Sequence, residues 1–339
     1  MITLAVGLAA GLLASTPAHA VTVTTDSARL APKPGPAILY APPPRAPQLE
    51  NAPGSPWRAT PILVSGTSAY RQGEFLYQDY LFDDRGAGTT YTYPTDPRYA
   101  ADAADLVEFR LKPTHSGLLI RLTYNAMIDP ALVATTIALG TSPTTRPMPF
   151  DAGAQEPAQV FVTVHGSTVA VTDAATLQAV AAPNARASVD LTRRQVTVTV
   201  PANVFSTRGL STVRVASASG LWDVANNRYL QPVSGAATAT QPGNGGTAGG
   251  ALFNVAFRFG ESSTWRDGLQ AAALTAGDLS AFHADVNLRA LHAGVNDDMP
   301  GQPTGVPVSG MTDRIYASHF EDSQGRSAQL PFHYCHEPC

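Results

Sequence analysis

Hydrophobic and polar residues alternate in short runs between Trp57 and Val233. The run Gln195–Val200 alternates at every position, so that valines occupy one face and polar side chains the other. Alternation with a period of two is typical of antiparallel sheets that bury one face. Eight such strands are predicted, at Leu106–Leu111, Leu118–Tyr124, Thr135–Leu139, Val160–Val164, Thr168–Thr172, Ala187–Leu191, Gln195–Val200 and Thr212–Ser217. Their number and spacing predict an antiparallel β-sandwich, with a hairpin over 187–200.

The pattern changes after residue 235. Residues 236–250 are rich in glycine and predict a flexible linker. One more strand is predicted at Leu252–Phe259, and it is followed by a helix over Ser263–Arg289 that Gly277–Asp278 divides into two, with Asp278 capping the second half. The predicted fold is therefore mainly β, with a small α-helical, loop-rich C-terminal extension over 251–339.

The N-terminal residues predict export. Residues 4–14 form an apolar run, and residues 16–20 supply the small-x-small pattern that signal peptidase recognises, although no basic residue precedes the run. We therefore predict a signal peptide over 1–20 and a secreted, extracellular protein, the alternative being a buried N-terminal helix. Residues 21–56 are rich in proline and predict either a spacer or an extended strap lying on the first domain.

Composition narrows the function classes. The formal net charge is −4, and charged residues make up 14% of the chain, which excludes a basic nucleic-acid-binding domain. Apolar residues make up 44%, enough for a packed core. Beyond the N-terminus no apolar run is long enough to predict a transmembrane segment.

The chain contains two cysteines, Cys335 and Cys339. Because the chain is predicted to be exported, we expect them to form a disulfide, although the nearby His333 and His336 leave half of a metal site as the alternative. A chain that stops on its second cysteine also suggests truncation of a longer protein.

A dense stretch of aromatic and acidic residues occupies 74–109. Residues 74–82 predict a strand, 83–88 a tight turn with two glycines, and 91–94 an extended piece. The motif Asp-Asp-x-Gly-x-Gly-x-x-Tyr-x-Tyr-Pro-Thr at 83–95, followed by Ala-Asp-Leu-x-x-Phe at 104–109, resembles the C-terminal binding module of glucodextranase. Asn125, the run Gly-Leu-Trp-Asp at 220–223 and Arg228-Tyr229 also match this DOMON-like, surface-layer-like family.

The resemblance covers about 70–235 and implies a DOMON-like or immunoglobulin-like β-sandwich. It also implies a non-catalytic role in binding a polysaccharide or a cell-surface glycan. We therefore assign residues 57–235 to this module. Sugar sites combine flat aromatic rings with hydrogen-bonding side chains, and the candidates here are Tyr91, Tyr93, Trp222, Tyr229, Asn226 and Asn227. The alternative is that these aromatic residues pack in the core or in turns.

Two further hypotheses concern metal binding and catalysis. Asp79, Asp83 and Asp84 lie close enough in sequence to bind one calcium ion, and no other cofactor is predicted. The chain has no Gly-x-Ser-x-Gly nucleophile motif, so we predict that it is not an enzyme. The alternative is that it forms the ancillary N-terminal region of a secreted α/β-hydrolase, because residues 251–339 resemble the segment that joins such a sandwich to a catalytic domain.

Overall fold

A computed structural model of the chain describes residues 49–62, 65–246, 249–259, 266–294 and 297–300. The predicted signal peptide, most of the proline-rich segment and the two cysteines Cys335 and Cys339 lie outside the described residues.

Sixteen strands and two α-helices are seen in the described residues. The strands are β1 (Thr67–Arg71), β2 (Glu74–Gln78), β3 (Leu106–Thr114), β4 (Gly117–Tyr124), β5 (Val133–Gly140), β6 (Thr145–Pro147), β7 (Gln155–Pro157), β8 (Val160–His165), β9 (Thr168–Asp173), β10 (Arg186–Asp190), β11 (Gln195–Pro201), β12 (Thr212–Asp223), β13 (Arg228–Tyr229), β14 (Leu252–Val255), β15 (Ala284–Asn287) and β16 (Asp297–Pro300). The helices are α1 (Arg266–Ala276) and α2 (Leu288–Ala293). The predicted mainly β fold is confirmed, and each of the eight strands predicted between 106 and 217 overlaps an observed strand.

The first sheet has the strand order β10-β11-β4-β3-β2-β1-β16, and every neighbouring pair is antiparallel. The predicted 187–200 hairpin is confirmed as β10 paired with β11, in the register Val189 opposite Val196. Alternation places Phe75, Phe109 and Ile120 on the face that packs against the second sheet.

The second sheet has the strand order β13-β12-β5-β8-β9. Its longest strand, β12, pairs with β5 along one edge. Along its other edge β12 pairs in turn with β15, β14 and β13. The strand predicted after the glycine-rich segment is thus part of the second sheet, and Phe253 and Val255 lie in the core. The domain boundaries at 57, 235 and 250 stay proposals.

One prediction about the C-terminal extension is wrong. The second half of the predicted helix, from Asp278 to Arg289, contains the strand β15, and helix α2 begins only at Leu288. The reason is tertiary: the free edge at Thr212–Val215 of β12 pairs with β15 and buries Val286 completely. Asp278 instead accepts a hydrogen bond from the Ser280 backbone N–H at 3.1 Å.

Residues 49–62, here called the strap, cover the outer face of the first sheet. Trp57, Ala59 and Ile62 of the strap are buried, and Ala59 and Ile62 pack with Leu76 of β2. The Trp57 indole donates a hydrogen bond to Thr197 Oγ1 of β11 at 3.3 Å. The described end of the proline-rich region therefore lies on the sandwich.

Charged residues lie beneath the strap. Glu108 binds Arg110 at 2.8 Å and Arg121 at 2.6 Å, and all three side chains are buried. Arg110 also contacts Glu74 at 3.2 Å and donates to the Ala59 carbonyl of the strap at 2.8 Å. The outer face of the first sheet is therefore a network of compensated charges.

Candidate functional site

Asp83, the first residue of the motif at 83–95, is buried between the sandwich and its C-terminal extension. Its carboxylate forms an ion pair with Arg258 and accepts a hydrogen bond from the Asn254 side chain at 2.7 Å. Its carbonyl accepts a hydrogen bond from Gln270 of α1 at 2.5 Å. Buried charges are tolerated when they are paired in this way. Asp83 therefore joins the motif to β14 and α1.

Gly86 shows why the motif needs glycine in its turn. Its φ of 62° lies in the left-handed region that favours glycine, and a Cβ there would lie 2.0 Å from Cδ2 of Tyr91. Tyr91 in turn donates its hydroxyl proton to the Gly250 carbonyl at 2.8 Å. The motif is thus packed against itself and against the segment before β14.

Asp84 and Asp105 form a second buried acidic group. The Tyr93 hydroxyl donates a hydrogen bond to Asp84 and accepts one from the Ala104 backbone N–H at 3.0 Å. Burial, and then the nearby Asp102, raise the pKa of Asp84 to about 8. Burial together with Asp84 and Asp83 also raises the pKa of Asp105 well above its ordinary value. Asp105 accepts a hydrogen bond from the Asn125 side chain at 2.9 Å. Both residues are among the positions that carry the resemblance described above.

The three aspartates predicted to bind calcium have different protein partners. Asp79 Oδ1 accepts hydrogen bonds from the Tyr80 backbone N–H at 2.8 Å and from the Tyr77 hydroxyl at 3.4 Å. Asp83 is paired with Arg258, and Asp84 with Tyr93. Within the ranges that the structure describes, no three acidic, histidine or cysteine side chains are grouped as metal ligands. The calcium site stays a prediction.

Tyr91 and Tyr93 pack on one buried ring. Their centroids lie 5.4 Å and 4.9 Å from that of Phe253, with the rings edge-on or tilted. Trp222 and Tyr229 pack against each other at 5.5 Å on the outer side of the second sheet. Trp222 is 1% exposed, and it also contacts Phe150 at 5.4 Å and stacks on His165 at 4.5 Å.

The structure therefore brings the four predicted aromatic residues together as two separate interior pairs. Their direct contact with a sugar stays a prediction, and it would require these rings to leave the packed positions described here.

Asn226 and Asn227, by contrast, lie on the surface in the turn between β12 and β13. Asn226 donates through its side chain to Asp223 Oδ2 at 2.6 Å and through its backbone N–H to Oδ1 at 3.1 Å. Arg228 on the far side of the turn contacts Asp151 at 3.1 Å. The turn is thus held by its own hydrogen bonds and presents two amide side chains to solvent.

Two other connecting segments, residues 96–99 and 128–130, lie beside this turn. The phenol of Tyr99 is under the electrostatic influence of both Asp223 and Asp129, although burial is the main cause that raises its pKa. The carboxylate of Asp96 forms an ion pair with the guanidinium of Arg98 at 2.8 Å. We call this surface the loop end, made of residues 96–99, 128–130 and 223–228. It also carries two exposed apolar side chains, Ile128 at 58% and Val224 at 56%.

Sequence analysis named Asp223, Asn226, Asn227 and Arg228 of the loop end but missed residues 96–99 and 128–130. Each of the two Asp-Pro steps, Asp96-Pro97 and Asp129-Pro130, begins a short 3-10 turn capped by the aspartate. These dipeptides are a usable signal for surface turns, because proline fits the first helical position and aspartate caps it.

Comparison with known proteins identifies one family. A family model described as the C-terminal binding-module, SLH-like, of glucodextranase matches residues 75–256, which is more than half of the chain. No curated protein matches the chain. Among the described residues, no helix is both long and apolar enough to cross a membrane.

Proposed function

Because the chain belongs to the family of C-terminal, SLH-like binding modules of glucodextranase, we propose that it is an exported, non-catalytic protein that binds a polysaccharide or a cell-surface glycan. Membership of this family is the observation that carries the proposal. The match includes the motif at 83–95 and the strands from β3 to β14, but β1, β15 and β16 lie outside the matched residues.

We place the binding surface at the loop end. The amides of Asn226 and Asn227 offer both donors and acceptors to sugar hydroxyls, and the exposed Ile128 and Val224 offer apolar contact to the ring faces. In this proposal Trp222 and Tyr229 support the turn from beneath. Tyr91 and Tyr93 hold the motif against β14, and their role is to keep the connecting segments of the loop end in place.

The charged groups of the loop end are largely paired with one another. Asp96 binds Arg98, and Arg228 lies between Asp151 and Asp223. The loop end carries the three aspartates Asp96, Asp129 and Asp223 and the two arginines Arg98 and Arg228, so its net charge is small. Such a surface favours hydroxyl-rich ligands over strongly charged ones.

The experiment is a pull-down of the purified full chain with a panel of insoluble polysaccharides and isolated cell walls. We expect the chain to bind at least one of them. The double variant Asn226→Ala, Asn227→Gly should bind about tenfold more weakly, as expected for the loss of one or two hydrogen bonds. Glycine is chosen at 227 because Asn227 has a φ of 50°.

The matched control is Asn184→Ala. Asn184 is also an exposed asparagine in a turn, but it precedes β10 at the opposite end of the sandwich. Equal weakening by the control variant would move the site away from the loop end. Absence of binding by the wild-type chain to every polysaccharide and wall preparation would refute the glycan proposal.

Export is tested separately. We expect the N-terminal sequence of the secreted chain to begin after Ala20. A chain that keeps its first twenty residues and stays inside the cell would contradict this part of the proposal.

A further inference from the structure

The hairpin formed by β6 and β7, residues 145–157, lies on the outer face of the second sheet and carries a buried acid. Glu156 is 1% exposed. It lines a small space together with Thr136, Ser217 and apolar residues that include Ala138, Ala216 and Ala218. The glutamate thus faces alanines and other mostly apolar groups of β5 and β12.

Neither carboxylate oxygen of Glu156 has a hydrogen-bond partner among the described residues. The charged and titratable groups on the elements around it are Arg146, Arg214, Tyr229, Asp278, His283 and Asp285. Arg214 is engaged by Asp285 at 3.4 Å, and His283 lies 3.8 Å from the same carboxylate. The Tyr229 hydroxyl is engaged with Thr136 at 2.8 Å.

A buried carboxyl without a partner is stable only in its neutral form. Burial raises the pKa of Glu156 to about 9, because the opposing effect of Arg214 is too weak and Asp278 acts in the same direction as burial. The geometry and the protonation state therefore agree: at neutral pH the side chain carries its proton.

Among the described residues, four backbone hydrogen bonds attach the hairpin to the rest of the fold, and one of them runs from the Ala251 N–H to the Ala152 carbonyl at 3.0 Å. The Gln155 N–H donates to the Gly277 carbonyl at 2.8 Å, and the Leu279 N–H donates to the Gln155 carbonyl at 3.0 Å. The Tyr229 N–H donates to the Phe150 carbonyl at 3.0 Å. Since β5 beneath the hairpin is paired along both of its edges, whereas the hairpin has only these four bonds to the fold, the hairpin opens locally at a lower cost than the sheets.

We propose that the β6–β7 hairpin is a proton-held cover, which sits on the second sheet while Glu156 is protonated and lifts away when that proton is lost. The seated form binds one more proton than the open form, in which the carboxylate is hydrated. The open form is therefore favoured progressively as pH rises from the ordinary glutamate range towards about pH 9. Lifting exposes the alanine-rich outer face of β5 and β12.

The test is amide hydrogen exchange of the full chain between about pH 6 and about pH 9, with each rate divided by the intrinsic rate at that pH. In the wild type, we expect the protection of peptides covering 145–158 to fall at least about tenfold over this range. Peptides covering 186–200 should keep their protection. In Glu156→Gln, which cannot ionise, the protection of 145–158 should not change with pH. The matched control Asp278→Asn, at an exposed carboxyl nearby, should keep the fall with pH, because burial remains the main cause of the raised pKa of Glu156.

An equal fall in Glu156→Gln and in the wild type would overturn the proposal. If Glu156→Gln does not fold, a carbon-detected NMR titration of the Glu156 carboxyl in the wild type decides the matter. Titration near pH 9 that coincides with exchange of the hairpin supports the cover. Titration in the ordinary glutamate range contradicts it.

Discussion

The two outer faces of the sandwich bury acidic side chains in opposite ways. Under the strap, Glu108 lies between Arg110 and Arg121, and Glu74 contacts Arg110 as well. Under the β6–β7 hairpin, Glu156 lies among alanines with no hydrogen-bond partner among the described residues. One face keeps its charges by compensating them, and the other removes its charge by holding a proton.

The two faces therefore respond to pH with opposite signs. Burial alone would raise the pKa of Glu108, but Arg110 and Arg121 outweigh it and hold this pKa below its ordinary value. Its stabilising effect is present above the unfolded pKa and is lost as pH falls. The pKa of Glu156 is raised, so its effect is fully present below the unfolded pKa and is lost as pH rises towards about 9.

The largest expected effect comes from breaking the compensated network. Arg110→Met leaves Glu108 and Glu74 buried with fewer partners and removes the hydrogen bond to the Ala59 carbonyl. We expect the free energy of unfolding to fall by about 3–5 kcal/mol. Urea unfolding followed by circular dichroism measures this loss.

The control for that measurement is Arg98→Met, which removes the exposed pair with Asp96. It should leave the free energy of unfolding close to that of the wild type, because solvent screens an exposed pair. Equal losses in the two variants would show that burial does not distinguish the strap network from a surface pair.

For each pH unit, a smaller effect is expected when the uncompensated acid is removed. For the wild type, Glu156 should lower the free energy of unfolding by up to about 1.4 kcal/mol per pH unit as pH rises from the ordinary glutamate range to about 9. In Glu156→Gln, the free energy of unfolding should no longer fall in this way as pH rises. Its decrease at acidic pH, to which Glu108 contributes, should be the same as in the wild type. If the free energy of unfolding of the wild type and of Glu156→Gln depended on pH in the same way, the inferred difference between the two outer faces would be wrong.

The smallest effect is expected at the edge of the strap network. Lys112 reaches the same Glu74 at 3.5 Å and the Pro56 carbonyl at 2.8 Å, but its side chain is 23% exposed. Lys112→Met should lower the free energy of unfolding by about 0.5–1 kcal/mol. A loss as large as that of Arg110→Met would mean that position within the network matters less than we infer.

Much of the fold could be predicted from the sequence, because antiparallel strands carry their own pattern. In β11 and β4 the alternation of apolar and polar residues shows from the local sequence alone which face of the strand is buried. The strand β15 could not be found in this way. Its residues read as a helix, and only the free edge of β12, formed by residues distant in sequence, gives them a strand to pair with.

The candidate site was harder to predict. Asp83, Asp84 and the tyrosines of the motif have the composition of a sugar or calcium site, and sequence alone does not show which way they face. In the structure Asp83 faces Arg258, a residue 175 positions away. Glu156 gives no sequence signal at all, because its distinguishing property is the lack of a partner.

We propose that the loop end binds the ligand, whereas the tyrosines of the motif maintain the fold. The most direct test is a binding isotherm on the polysaccharide that the pull-down identifies, measured together with the melting temperature. We predict that Tyr93→Phe lowers the melting temperature, since Ala104 loses its acceptor and Asp84 its donor, and leaves the affinity unchanged. Asn226→Ala, Asn227→Gly should weaken binding about tenfold with little change in melting temperature. Weakened binding by Tyr93→Phe at an unchanged melting temperature, with full binding by the asparagine variant, would contradict the account.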